Sequence, residues 1–161
     1  MDTEELIKQL GKKLEELKLT IVTTESCTGG YLAYQFSSNR EASFALERGY
    51  VTYSNQSKEE LLNIKAETLQ LQGAVSKEVA LEMATGALKN SKAQISIATT
   101  GIAGTDIGEN KKGTVWIAFA SILLGPQVLK KEFGGTRKQF IKKSTFFALS
   151  ELLIYLGNFS I

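Results

Sequence analysis

The residues with most chemical promise stand together in Thr24-Glu25-Ser26-Cys27-Thr28-Gly29-Gly30. A serine hydroxyl that loses its proton attacks carbonyl carbon, and backbone N–H groups beside it can hold the negative charge that the attack creates. Paired glycines let another molecule's oxygen come close to the backbone, so the stretch reads as an anion or oxyanion site. A structural reading stands beside this one. Serine and threonine cap helices, and a glycine pair after a strand allows close helix–strand packing.

Histidine is absent from the chain. That removes the Ser-His-Asp and Cys-His mechanisms, the commonest zinc sites and the usual general base. Aspartate occurs only as Asp2 and Asp106, and Cys27 is the single cysteine. A hydrolytic nucleophile here needs lysine, tyrosine or a carboxylate to activate it. Tyr53 closes a β-type region containing Tyr50, Val51 and Thr52, and Asn55 can cap a short helix that carries Lys58 in its first turn. Tyr53 and Lys58 could therefore point into one cleft. The plainer alternatives are a solvated helix lysine and a sheet tyrosine with its hydroxyl at the rim. One cysteine builds neither an intramolecular disulfide nor a thiolate-rich metal site, so no metal or cofactor is expected.

These residues need elements to hold them, and hydrophobic periodicity supplies the pattern. Asp2 with Glu5 resembles a capping box ahead of a helix whose inner face is Leu6, Leu10, Leu14 and Leu17. Leu19 to Thr24 reads as a buried strand, Gly29 to Ser38 as a helix, and Phe44 to Ser54 as a second β region in which Gly49 marks a bulge or a close approach. Ala66 to Gln72 is a short helix stopped by Gly73, and Ser76 caps a stronger one with Val79, Ala80, Met83, Ala84, Ala87 and Leu88 inward. Gln94 to Thr99 is a strand, and Gly101-Ile102-Ala103-Gly104 a second glycine-bearing turn at its carboxyl end, the edge where open α/β sheets bind ligands. After a polar excursion from Ile107 to Lys112, Thr114 to Leu124 pairs antiparallel with Gln127 to Phe133 around Gly125-Pro126. Thr136 caps a last long helix. The alternation predicts a single domain over residues 1–161, a three-layer α/β/α sandwich with a mixed sheet.

Composition narrows the function further. The chain has 161 residues, enough for one core without disulfides. With 19 basic against 17 acidic residues the net charge is +2, which excludes a dedicated nucleic-acid binder but leaves room for a small anionic ligand. The charged N-terminal segment lacks the apolar core of a signal peptide, and no run reaches transmembrane length, so a cytoplasmic protein with no membrane partner is expected. The last helix is apolar nearly all round from Phe146 to Leu156. It is either buried, beneath the first helix for instance, or covered by a second copy; a homodimer or higher homo-oligomer is the expectation.

Five motifs in order, Glu25-Ser26-Cys27-Thr28-Gly29-Gly30, Tyr53-Ser54-Asn55-Gln56-Ser57-Lys58, Gly73-Ala74-Val75-Ser76, Thr100-Gly101-Ile102-Ala103-Gly104 and Gly113-Thr114-Val115-Trp116, give the chain a likeness over nearly its whole length. It resembles the CinA C-terminal domain family. Members of that family are nicotinamide-nucleotide amidases, which convert nicotinamide mononucleotide to nicotinic acid mononucleotide and ammonia. The resemblance implies that Ser26 is the nucleophile and Lys58 its activating base, with Tyr53 beside them. It also implies that Thr28, Gly29 and Gly30 form the oxyanion hole, that Thr100, Gly101, Ala103 and Gly104 hold part of the nucleotide, and that Arg137 meets phosphate. A surface arginine near the start of the last helix is the alternative for Arg137. Which loop takes phosphate and which takes ribose stays open. The chain departs from the family's pattern at Thr105, where proline is usual, at Glu41-Ala42-Ser43, where Gly-Ser-Ser is usual, and at Ile141, where a second arginine is expected. Those departures motivate a second reading, a nucleotide-binding module of the same fold that has lost efficient turnover.

Overall fold

In the computed structural model, which describes residues 1–104 and 112–159, the strand that leads into Ser26 is buried at every position, as a central parallel strand must be. This strand, β1 (Ile21–Glu25), lies between β2 (Leu46–Val51) and β3 (Ile95–Ile102), parallel to both. Beyond β3 the sheet turns antiparallel through β4 (Gly113–Ser121) and β5 (Gln127–Phe133). Strand order is β2-β1-β3-β4-β5. The chain steps from β1 to one neighbour and then crosses to the other, which opens a crevice at the carboxyl ends of β1 and β3.

Side chains alternate across the sheet and divide the interior in two. Ile21, Ile95, Ile97, Val115, Ile117 and Phe119 face one way, onto α1 (Thr3–Leu17), α2 (Tyr31–Ser37) and α6 (Arg137–Leu156). Val22, Ala98, Ala118 and Ala120 face the other, onto α3 (Asn55–Leu62), α4 (Ala66–Gln72) and α5 (Lys77–Lys89). The small residues on that second face let α5 sit close to the sheet. The result is the three-layer α/β/α sandwich with a mixed sheet that the alternation predicts. Leu10 and Leu14 are fully buried between α1 and the sheet-facing helices, so truncating either to alanine should cost about 2–5 kcal/mol.

Local details differ from the sequence expectation where side chains compete for backbone groups. Asp2 caps α1 by accepting from Glu5 N–H, but the Glu5 carboxylate accepts from Gln9 rather than closing a box. Ser54, not Asn55, caps α3, in a reciprocal pair with Ser57. The register shift in β2 falls at Glu47, and Gly49 is there for close approach: a Cβ on it would meet Thr23 Oγ1 at 2.8 Å. Strand β3 runs on to Ile102, so Thr100 and Gly101 belong to the strand and the turn begins at Ala103. Thr105 and most of the expected polar excursion lie outside the described residues.

Most of the apolar face of α6 is covered within the chain. Leu149, Leu152, Tyr155 and Leu156 are buried, Phe146, Phe147 and Leu153 half-buried, and Ile154 exposed. No helix among the described residues is long and apolar enough to cross a membrane.

Candidate active site

Even-numbered positions at the end of β1 point toward the α3–α5 layer, and Ser26 continues that side of the strand. Its N–H donates to the carbonyl of Thr99 at 2.9 Å, which pins the residue to the end of β3. From the far side of β2, the chain leaves the sheet at Thr52 and enters α3, whose Ser54 cap fixes the direction of the first turn. Lys58 lies one turn in and faces inward. Its side chain is 1% exposed, and Nζ reaches Ser26 Oγ at 3.0 Å and the Thr52 carbonyl at 2.7 Å.

An ammonium in that position would be poorly solvated, and burial lowers the Lys58 pKa from the usual lysine value. Nζ donates to the Thr52 carbonyl and to Ser26 Oγ, so both contacts hold the amine beside the hydroxyl.

The pair opens onto a cavity of about 220 Å³, lined by Ser26, Cys27, Tyr53, Lys58, Ala74, Val75, Thr100, Gly101, Ile102, Ala103, Arg137, Phe140 and Ile141. Residues that follow β1 and β2 thus meet residues of α3, β3 and α6 at the crevice made by the strand order. Tyr53, 64% exposed, stands at the rim, where its hydroxyl takes a long hydrogen bond of 3.5 Å from Arg137 Nη1. No hydrogen bond joins it to Ser26 or Lys58 among the described residues.

Other expected residues have different places. Thr28, Gly29 and Gly30 do not line the cavity. Thr28 Oγ1 contacts Glu25 Oε1 at 2.6 Å and Thr99 Oγ1 at 2.8 Å, Gly29 N–H donates to the Ser26 carbonyl, and Gly30 N–H donates to Glu25. The two glycine amides expected in the oxyanion hole are therefore already paired. Their backbone explains the glycines, with φ of 60° at Gly29 and 102° at Gly30, a left-handed region that other residues rarely adopt. Cys27 and Thr28 supply the turn N–H groups that meet no acceptor among the described residues. Thr100 does line the cavity, but its hydroxyl donates to the Ala74 carbonyl at 2.7 Å and so ties the 73–76 loop to β3. Gly104 is buried behind the wall, and a Cβ on Gly113 would strike its backbone nitrogen.

Sequence reasoning gave no role to Glu25, Phe140 or Val75. Glu25 points to the α2 side of the sheet, is fully buried, and accepts from Thr28 Oγ1 and from the N–H groups of Gly30, Leu32 and Ala33. Phe140 and Ile141 follow Arg137 on the first turns of α6 and give the cavity an apolar wall. The Cys27 thiol is pushed up to about 12, by burial first and then by the charge of Glu25. That leaves it protonated at neutral pH and inert as a nucleophile. Among the described residues no three His, Cys, Asp or Glu side chains converge as a metal site.

The fold recurs in known proteins. The chain is 41% identical over 151 residues to the nicotinamide-nucleotide amidohydrolase PncC of Escherichia coli K12, covering 92% of this chain and 91% of that protein. Its fold matches the crystal structure of the competence damage-inducible protein A (ComA) of Klebsiella pneumoniae with a TM-score of 0.93 and 31% identity, over 99% of this chain and 100% of that one. A CinA superfamily protein from Escherichia coli matches with a TM-score of 0.87 and 34% identity, over 94% of this chain and 89% of that one. A model of the CinA C-terminal domain matches residues 3–156, from the first helix through the last, and on that match and those relatives the chain belongs to the CinA C-terminal domain family.

Proposed function

We propose that the protein is a nicotinamide-nucleotide amidohydrolase that works through Ser26 and Lys58. The observation that carries the mechanism is the buried Lys58 Nζ, 3.0 Å from Ser26 Oγ with no histidine anywhere in the chain. The substrate class rests on the PncC relative. In this reading Lys58 takes the Ser26 proton as Oγ bonds to the carboxamide carbon. Charge builds on the carbonyl oxygen, for which the N–H of Cys27, in the cavity lining, is the available donor. Lys58 then gives the proton to the departing nitrogen, ammonia leaves, and an ester to Ser26 remains. Water adds to the ester with its proton passing to Lys58. Collapse returns that proton to Ser26 Oγ and frees the carboxylic acid.

Arg137 is the cation within the cavity suited to a phosphate monoester, and Tyr53 beside it supplies a hydroxyl. Both belong at the nucleotide end in this reading, with Thr100, Gly101 and Ala103 forming the floor. The mechanism calls for no metal or cofactor, since the chain has no histidine and one cysteine. A pyridine nucleotide as substrate fits a cytoplasmic setting.

Self-association belongs to the same proposal. Phe133, Phe146 and Phe147 line an open groove of about 500 Å³ on α6 and β5, a face that a second copy would cover.

Ammonia release from nicotinamide mononucleotide by the purified protein tests the reading. Release that disappears in Ser26→Ala, with the fold kept, is the expected result. A wild-type protein that binds the nucleotide without releasing ammonia would leave the non-catalytic module in its place.

A further inference from the structure

Glu25 takes no part in the chemistry above, yet it has hydrogen bonds leading to both reacting groups. On its side-chain route, Oε1 accepts from Thr28 Oγ1 at 2.6 Å, Thr28 Oγ1 also contacts Thr99 Oγ1 at 2.8 Å, and the Thr99 carbonyl accepts from Ser26 N–H at 2.9 Å. On its backbone route, the Glu25 carbonyl accepts from Thr52 N–H at 2.8 Å, and the Thr52 carbonyl accepts from Lys58 Nζ at 2.7 Å. The carboxylate is itself clamped to the start of α2 by Gly30 N–H at 3.2 Å, Leu32 N–H at 2.8 Å and Ala33 N–H at 3.1 Å.

We propose that Glu25 is a positioning residue, its carboxylate locking the turn so that Ser26 and Lys58 keep their mutual distance. This rests on the amidohydrolase reading of the site. A simple helix cap would not need a residue at the end of β1. The N-cap of α2 is Gly30, which offers no side chain, and a serine or aspartate near it could serve α2 alone. A carboxylate sent from residue 25 binds the helix start to the peptide that carries the nucleophile. It is also the wrong residue for a solvent-facing turn: a fully buried acid is kept only where several donors meet it. The charge of Glu25 is felt at the neighbouring Cys27 thiol, which it raises.

Two variants separate positioning from capping. Glu25→Gln keeps an oxygen for the Oε1 donors but sets an NH2 group against Ala33 N–H. Thr28→Val keeps the carboxylate on the three α2 amides and removes both contacts of the Thr28 hydroxyl, to Glu25 and to Thr99. In the full-length chain each should lower kcat for ammonia release from nicotinamide mononucleotide by about 10²-fold, as small misplacements of catalytic groups do. KM should stay within about twofold and melting should remain cooperative, the pattern of an interaction felt in the transition state. Amide hydrogen exchange gives a readout without turnover: the Ser26 N–H, which donates to the Thr99 carbonyl, should exchange faster in both variants than in the wild type.

A folded Glu25→Gln protein with wild-type kcat, or with its loss confined to KM, would reduce Glu25 to a helix cap. Should that variant not fold, Thr28→Val decides on the same terms. If the wild-type chain releases no ammonia, the amidohydrolase reading fails by itself. Exchange at the Ser26 amide then judges Glu25: faster exchange upholds its hold on the turn, and an unchanged rate overturns it.

Discussion

Lys58 Nζ donates to the carbonyl of Thr52, six residues back along its own chain, at 2.7 Å. The same nitrogen reaches Ser26 Oγ at 3.0 Å, so the contact with Thr52 holds the amine beside the hydroxyl. Since burial lowers the lysine pKa, activity should rise with pH through an apparent pKa below the ordinary lysine value of about 10.4. Lys58→Arg should abolish ammonia release at every pH up to that value, because a guanidinium keeps its proton. A variant that retained most of its rate would make Lys58 an electrostatic anchor instead.

The same burial has a stability signature. The folded-state pKa of Lys58 lies below its unfolded value, so the unfolded chain binds more protons between the two. The cost of the buried amine is fully present below the folded pKa and fades as pH rises toward about 10.4. Melting temperatures of wild type and Lys58→Met, compared across pH, should therefore shift in favour of the wild type as pH increases. A gap that stays constant from neutral pH to about 10.4 would show that the amine is not destabilised by burial.

Ile141 sits one helical turn after Arg137 and lines the same cavity. Replacing it by arginine adds a second cation on that face, worth about 1.5–3 kcal/mol if it meets phosphate and less by a few tenths for the like-charge neighbour. Ile141→Arg should lower KM for nicotinamide mononucleotide roughly tenfold or more while kcat changes little. An unchanged KM would place the phosphate away from α6.

Assembly is open to light scattering at micromolar concentration. The half-buried Phe146 and Phe147 predict a mass above the 17.6 kDa of one chain, and Phe147→Lys should return it to that value. A wild-type mass of one chain, independent of concentration, would show that packing within the protomer suffices for α6.

The layers were legible in the sequence because each rests on local periodicity. Val79, Ala80, Met83, Ala84 and Ala87 on α5 are read at helical spacing and found buried against the sheet. The site was legible only in part. Lys58 stands among Gln56, Ser57, Glu59 and Glu60; its place in the first turn after a strand made it a candidate beside Tyr53, and only the family resemblance gave it a role over the plainer reading of a solvated lysine. Glu25 was silent for a different reason. Its partners are backbone amides of residues 30, 32 and 33, and amides leave no mark in a sequence. Phe140 drew no role, since a helix pattern does not tell a cavity wall from a packed interior, and Ile141 stood out only as a departure from the family's pattern. Gly29 and Gly30 were legible as a turn, but which of their N–H groups remained available depended on where Glu25 pointed.

The strand order also bears on how the protein acquires activity. Pairing β1 with β2 and then with β3 joins segments far apart in sequence by crossovers, the slow kind of contact in folding. Arg137, Phe140 and Ile141 arrive only when α6 docks over residues laid down near the start of the chain. A ribosome-bound chain lacking its final helix would already own Ser26 and Lys58, yet have no closed cavity. In the proposed mechanism the cavity wall of Arg137, Phe140 and Ile141 therefore depends on α6 being docked against the sheet.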